Sequence, residues 1–198
     1  MARYHHGNLR QELLSEALKQ LELQGIDSLS LRALARAVGV SQTAPYRHFP
    51  DKTALLIAMA VEGFQDLKAL MEKSVKQFDQ PDQRLPEMGL NYVEFACENP
   101  HLYKLMFGPT LAAKEDYPEL EEAAKECFRQ LQNVISQIMP SADPEHLWYM
   151  TANASALVRG HASMRIDGIM ACNLDTGEDL DLRKALTLFL AHHDFGIS

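Results

Sequence analysis

Between Gly39 and Lys52 the chain carries Gln42, Thr43, Tyr46, Arg47 and His48 in one short run. An amide, two kinds of hydroxyl, a guanidinium and an imidazole form a set suited to hydrogen bonds with base edges and phosphate oxygens. Gln42 matches the two-point pattern of adenine, and Thr43 offers a hydroxyl or a methyl contact. Tyr46 has two readings: a phosphate or thymine-methyl contact, or packing of its own segment onto the first helix of the chain. Arg32, Arg47 and Lys52 suit phosphate clamping, and Lys52 stands beside a helix start whose free amides favour an anion. Ser30, Ser41 and His48 complete the candidate surface, and Arg3 lies in a short arm, with Tyr4, His5 and His6, that can reach a minor groove or backbone.

Positioning such a set needs a short helix seated across another. Leu31, Leu34, Ala35 and Val38 recur at i, i+3, i+4 and i+7, and predict one apolar helix face started by a Ser30 cap. Gly39 ends it in the left-handed conformation. Ser41 is then the expected cap of a second helix, with Pro45 tolerated in its first turn. A helix from Asn8 to Gly25, with Leu14, Ala17, Leu18 and Leu21 in a stripe, completes a three-helix head. This is a helix-turn-helix, and double-stranded DNA is the partner it implies.

From Tyr4 to Phe64 the chain resembles the TetR family of one-component transcriptional regulators. The resemblance rests on Ser30, Ala35, Gly39-Val40-Ser41, Tyr46, His48-Phe49, Lys52, the leucines at 55 and 56 and the entry Tyr4-His5-His6-Gly7-Asn8-Leu9-Arg10. It implies a ligand-responsive homodimeric repressor that reads a palindromic operator and binds a small-molecule effector in its body. The segment around Asn153–Ala162 is similar to the Trp-x-x-x-His-Gly signature of one C-terminal subclass in degenerate form. Ser155 and Arg159 stand at the Trp and His positions, and Gly160 is retained.

Net charge is −8, yet its distribution is uneven: residues 1–52 hold seven Lys or Arg against five Asp or Glu, and residues 53–198 hold twelve against twenty-two. A mildly basic head on an acidic body presents one face to phosphate and repels it elsewhere. Cys97, Cys127 and Cys172 are too few and scattered for a disulfide framework, which points to a reducing cytoplasm. The start of the sequence lacks a secretory apolar run, and no stretch approaches the roughly 18 apolar residues of a membrane span.

The expected architecture is all-α. A head at residues 1–52 is joined by a long helix, about 51–78, to an effector-binding and dimerisation domain at 80–198. Asp51 is the expected cap of the long helix, and Gln80–Pro86 the expected break after it. Further helices are expected near 84–98, 100–107, 117–138, 144–166 and 181–194. Met88, Tyr92, Phe95, Met106, Phe107, Phe128 and Trp148 form an adaptable apolar inventory for a pocket, with core packing as the alternative. Ala152, Ser155, Ala156 and Gly160 permit close helix approach, with Leu182, Leu186 and Phe189 on the partner helix of an expected dimer interface.

No cofactor and no metal site is expected. His5 and His6 lack an acidic or thiol partner at ligand spacing, and the His192-His193-Asp194 triplet lies at the end of the last expected helix, where histidine suits the negative dipole end. No nucleophile elbow, phosphate loop or dinucleotide fingerprint is present, so an enzyme is not expected. The rival to a regulator is an all-α small-molecule-binding module without DNA-binding activity.

Overall fold

The structure, a computed structural model, describes residues 9–111, 116–169 and 176–191. Arg3 and the arm around it, the Asn8 cap, Cys172 and the His192-His193 pair lie outside the described residues. The helices are α1 (Leu9–Gln24), α2 (Leu31–Val38), α3 (Lys52–Gln77), α4 (Pro81–Glu98), α5 (Pro100–Phe107), α6 (Pro118–Ile138), α7 (Pro144–Asp167) and α8 (Leu182–Ala191). Short 3₁₀ turns lie at Ile26–Ser28, Ala44–Arg47 and Pro109–Leu111, and no strand occurs among the described residues. The all-α expectation therefore holds.

Two compact units divide the chain: Met1–Phe64 with Asn99–Ala123, and Gln65–Glu98 with Ala124–Ser198. A break follows α3 at residues 78–80, and the chain passes between the two units within α3, at Glu98–Asn99 and within α6. The next helix starts at Pro81, earlier than the expected residue 84. Pro81 occupies its first position, where a fixed φ helps and no N–H is missed, and Pro86 is buried inside it.

In the first unit, α1 buries Leu13, Leu14, Ala17 and Leu21 against Leu31, Leu34 and Ala35 of α2. Leu13 takes the place expected for Leu18, which is only half-buried. Each fully buried leucine contributes about 1.5 to 3 kcal/mol, an upper figure because the unfolded chain already hides part of that surface. The Ser30 cap is present: its Oγ accepts from the Ala33 amide at 3.1 Å. Asp51 caps α3 through the Ala54 amide at 2.8 Å. Helix α3 then buries Leu55, Leu56 and Met59. Helix α5 joins the same core through Leu102, Tyr103 and Met106.

The second unit is built on α4, which packs against both α7 and α8. Gly89 allows the closest approach, since a Cβ there would collide with the Leu186 side chain and meet Val158 Cγ2 at 3.3 Å. Arg84 ties the start of α4 to the break after α3 and to α6. Its guanidinium donates to the Phe78 carbonyl at 2.7 Å, the Asp79 carbonyl at 2.9 Å and Gln137 Oε1 at 2.7 Å. Asp143 caps α7 by accepting from the Glu145 and His146 amides at 3.0 and 2.9 Å. The His146 amide, ahead of other causes, holds the Asp143 carboxyl below its ordinary range. At its end, α7 closes on Gly168 in the left-handed region.

Gly63 gives a direct test of the packing in the first unit. A Cβ there would stand 2.6 Å from Met106 Sδ and 3.2 Å from the Leu102 side chain, both buried. Gly63→Ala is expected to lower the unfolding free energy by about 1 to 3 kcal/mol, because an overfilled core cannot relax fully. Urea denaturation followed by circular dichroism measures the change.

Candidate nucleic-acid interface

The turn after α2 is made by backbone bonds. Gly39, at φ 78°, donates to the Arg36 carbonyl at 3.3 Å, and Val40 donates to the Ala35 carbonyl at 2.9 Å. This pair of bonds closes a helix around a left-handed residue. The chain beyond it differs from the expected second helix. The segment is a turn through Gln42 and Thr43 and a single 3₁₀ turn at Ala44–Arg47. Ser41 does not cap it; its Oγ lies 3.3 Å from Thr43 Oγ1. The reason is local. Pro45 sits in the first turn without an N–H, and its own carbonyl accepts from both His48 and Phe49 amides at 2.9 Å, which tightens the run to 3₁₀ pitch.

Pro45 and Phe49 are the buried anchors of this segment. Arg10 of α1 lies 5.2 Å over the Phe49 ring, a cation–π contact that sequence spacing does not reveal. With those two residues inward, Gln42, Thr43, Arg47 and His48 are exposed, and Tyr46 is 44% exposed. The packing alternative for Tyr46 is thus the weaker one. Arg32 and Arg36 are exposed on α2 beside them. The run presents donors, acceptors and positive charge outward, on a base of apolar contacts.

Two predicted contact residues also have work inside the fold. The Ser30 hydroxyl accepts the Ala33 amide and keeps its own proton to donate. Lys52 donates from Nζ to the Ile26 carbonyl at 2.8 Å, which ties the start of α3 to the turn after α1. An ammonium has three donors, so this bond leaves two for an anion.

The candidate pocket residues do not share one unit. Met106 and Phe107 belong to the first, where Phe107 stacks edge-on against Phe64 with centroids 5.2 Å apart. Met88, Tyr92, Phe95, Phe128 and Trp148 belong to the second. Met88 and Phe95 are buried there, Tyr92 and Phe128 half-buried, and Trp148 is 51% exposed at the start of α7, edge-on to Tyr149 at 4.8 Å. The candidate dimer residues divide by face. Leu182 and Leu186 are buried within the unit, Ala152, Ser155 and Phe189 are half-buried, and Ala156 and Gly160 are exposed.

Sequence reading passes over His161. It is 4% exposed, and its buried Nδ1 has no hydrogen-bond partner among the described residues. Burial lowers its pKa, the nearby positive charge of Arg165 lowers it further, and Asp181 at the start of α8 opposes both. Cys127 is likewise buried, and burial pushes its thiol up to about 12, which makes it a poor thiolate and a structural residue. Among the described residues no group of three or more His, Cys, Asp or Glu has metal-site geometry. No described helix is long and apolar enough to cross a membrane.

Comparison with known proteins places both parts of the chain. Residues 13–59 match the family model of bacterial regulatory proteins, tetR family, and residues 85–185 match that of the tetracyclin repressor-like C-terminal domain. A solved structure of a protein with unknown function from Rhodococcus sp. RHA1 is 31% identical, with a TM-score of 0.79, covering 98% of this chain and 97% of that one. The TetR family transcriptional regulator PfmR from Thermus thermophilus shares the fold at 17% identity, with a TM-score of 0.60 over 94% of this chain and 98% of that one. The nucleoid occlusion factor SlmA of Pectobacterium carotovorum is 29% identical over 134 residues, which span 67% of this chain and 66% of that protein.

His161 generates a pH prediction. Its pKa in the fold lies below the ordinary value of 6.5, so the folded chain keeps it neutral where the unfolded chain takes up a proton. The stability it contributes is present in full above the unfolded value and is lost as pH falls through that value towards the folded one. Urea midpoints are expected to be lower near pH ~5.5 than near pH ~7.5, and His161→Gln is expected to shrink that difference. An undiminished difference in the variant would assign the acid sensitivity to other groups.

Proposed function

Since the chain belongs to the tetR family of bacterial regulatory proteins, a family of DNA-binding regulators and not of enzymes, we propose that it is a ligand-responsive homodimeric repressor of a palindromic operator. The observation that supports this best is the exposed run Gln42, Thr43, Tyr46, Arg47 and His48 on the buried anchors Pro45 and Phe49. Gln42 and Thr43 read base edges in the major groove, and Arg32, Arg47 and the remaining donors of Lys52 hold phosphates. Two such surfaces about 34 to 36 Å apart read two half-sites one DNA turn from each other.

The second copy covers the exposed side of α7 and α8. Ala156 and Gly160 are exposed there, and Trp148, Tyr149 and Leu188 are 49 to 53% exposed, a combination of small and large apolar groups that water solvates poorly. A small apolar effector binds in the second unit, near Met88, Tyr92, Phe95 and Phe128, and favours a body conformation that weakens DNA binding. A coupling of about 1 to 3 kcal/mol suffices for such control. The reducing cytoplasm, where the DNA is, is its place of work.

Fragments of genomic DNA selected on the purified protein supply the operator, and fluorescence anisotropy on that site tests the surface. Arg47→Ala is expected to weaken binding to all sequences and to reduce the log–log salt slope by about 1. Gln42→Ala is expected to relax preference at one base position, at about 1 to 3 kcal/mol. Wild-type affinity and selectivity in both variants would put the reading face elsewhere. Recovery of no fragment at all would favour the ligand-binding module without DNA activity.

Gly160 tests the dimer separately. No atom lies within 4 Å of a Cβ added there, so Gly160→Glu leaves the protomer's own packing intact. Analytical ultracentrifugation is expected to show a dimer for the wild type and a monomer for the variant. A variant that sediments as a dimer would rule this face out.

A further inference from the structure

Helix α5 does not start itself. Its first residue is Pro100, which has no N–H, and the side chain of Asn99 before it makes no capping bond. The next two amides are both taken by Glu22 of α1: Oε1 accepts from Leu102 at 2.7 Å and Oε2 from His101 at 3.2 Å. The amide after them, Tyr103, bonds the Asn99 carbonyl at 2.8 Å and begins the helix ladder. A carboxylate at this position gains from ionic hydrogen bonds and from the positive end of the helix dipole. The cap of α5 is thus a side chain 80 residues from Leu102 in sequence, in the helix on which α2 is seated.

Further contacts in the same unit hold the rest of α5. Gly25, just past Glu22, lies against the His101 ring, with Cε1 3.8 Å from where its Cβ would be. Met106 fills the space beside Gly63 of α3, and Phe107 stacks on Phe64. Behind α5 the chain has almost no slack. Helix α4 ends at Glu98 and α5 begins at Pro100, so one residue, Asn99, links the clamped helix to the helix that carries α7 and α8 in the second unit.

We infer that Glu22 makes the seating of α5 and the setting of α1 a single equilibrium, so that a displacement of the first turn of α5 is felt in the DNA-reading surface of the same unit. Drawing the first turn of α5 away must leave two amides unpaired and Glu22 free, and seating it must restore both. The regulatory half of this inference rests on the repressor reading; the coupling within the first unit does not.

Hydrogen exchange on the full chain, read by mass spectrometry, tests it with Glu22→Ala and with Glu22→Gln, which keeps one acceptor without the charge. In Glu22→Ala the amides of His101 and Leu102 are expected to exchange about tenfold faster, the amides of Gly39–Phe49 to speed up with them, and operator affinity to fall about tenfold. Glu22→Gln is expected to fall between the wild type and Glu22→Ala in all three, and it carries the test alone if Glu22→Ala lacks the wild-type circular dichroism spectrum. Faster exchange confined to residues 101 and 102, with Gly39–Phe49 and operator affinity unchanged, would reduce Glu22 to a local cap and overturn the inference. Unchanged exchange at His101 and Leu102 would overturn it as well. A wild type that binds no DNA fragment defeats the repressor reading, and the spread of exchange from α5 to Gly39–Phe49 still decides the coupling.

Discussion

The left-handed turn at Gly39 is the constraint on which the reading surface depends. A helix continued past Val38 would carry Gln42 and Thr43 onward in the register of α2 and turn their direction with it. Instead, the paired bonds from Gly39 to Arg36 and from Val40 to Ala35 stop α2 within one residue. The chain then descends to bury Pro45 and Phe49, and whatever lies between those anchors must face water. A side chain at position 39 would force an L-residue into a conformation costing about 1 to 2 kcal/mol, so the glycine is demanded by the backbone and not by space, which is open there.

The same logic explains which parts of this molecule are legible without coordinates. Ser30, Gly39 and Asp51 are readable because each acts on backbone groups within a few residues of itself. The second helix of the pair is not, because two local signals conflict. Ser41 resembles a cap, but Pro45 and the Ser41–Thr43 hydroxyl contact draw the segment into a tighter turn. The segment from Gln80 to Pro86 is legible only in part for a similar reason: the chain does break after α3, but proline also begins helices, and here Pro81 begins one three residues earlier than expected.

The features that stay hidden are non-local. Met106 and Phe107 have the composition of a ligand pocket, yet they pack into the first unit through Gly63 and Phe64, a choice set by tertiary contact and not by periodicity. Arg10 over Phe49 and Lys52 on the Ile26 carbonyl are long-range ties that spacing cannot announce. His161 reads as one more polar residue on α7 until its burial and unpartnered Nδ1 are known.

Helix α5 shows why such ties matter for a regulator. Eight residues are too few to hold a helix by propensity alone, since isolated helices below roughly 12 to 15 residues are marginal in water. Its order is therefore borrowed from its surroundings: Glu22 for its first turn, Gly63 and Phe64 for its apolar side. An element that cannot be stable by itself takes the conformation its neighbours impose, and it can impose strain on them in return with little energy lost to its own deformation. A self-capped helix in the same place would keep its start whether or not α1 stood beside it, and its first turn would be uncoupled from α1. Borrowed order is what allows a short segment, one residue from α4, to act as a connection and not as a spacer.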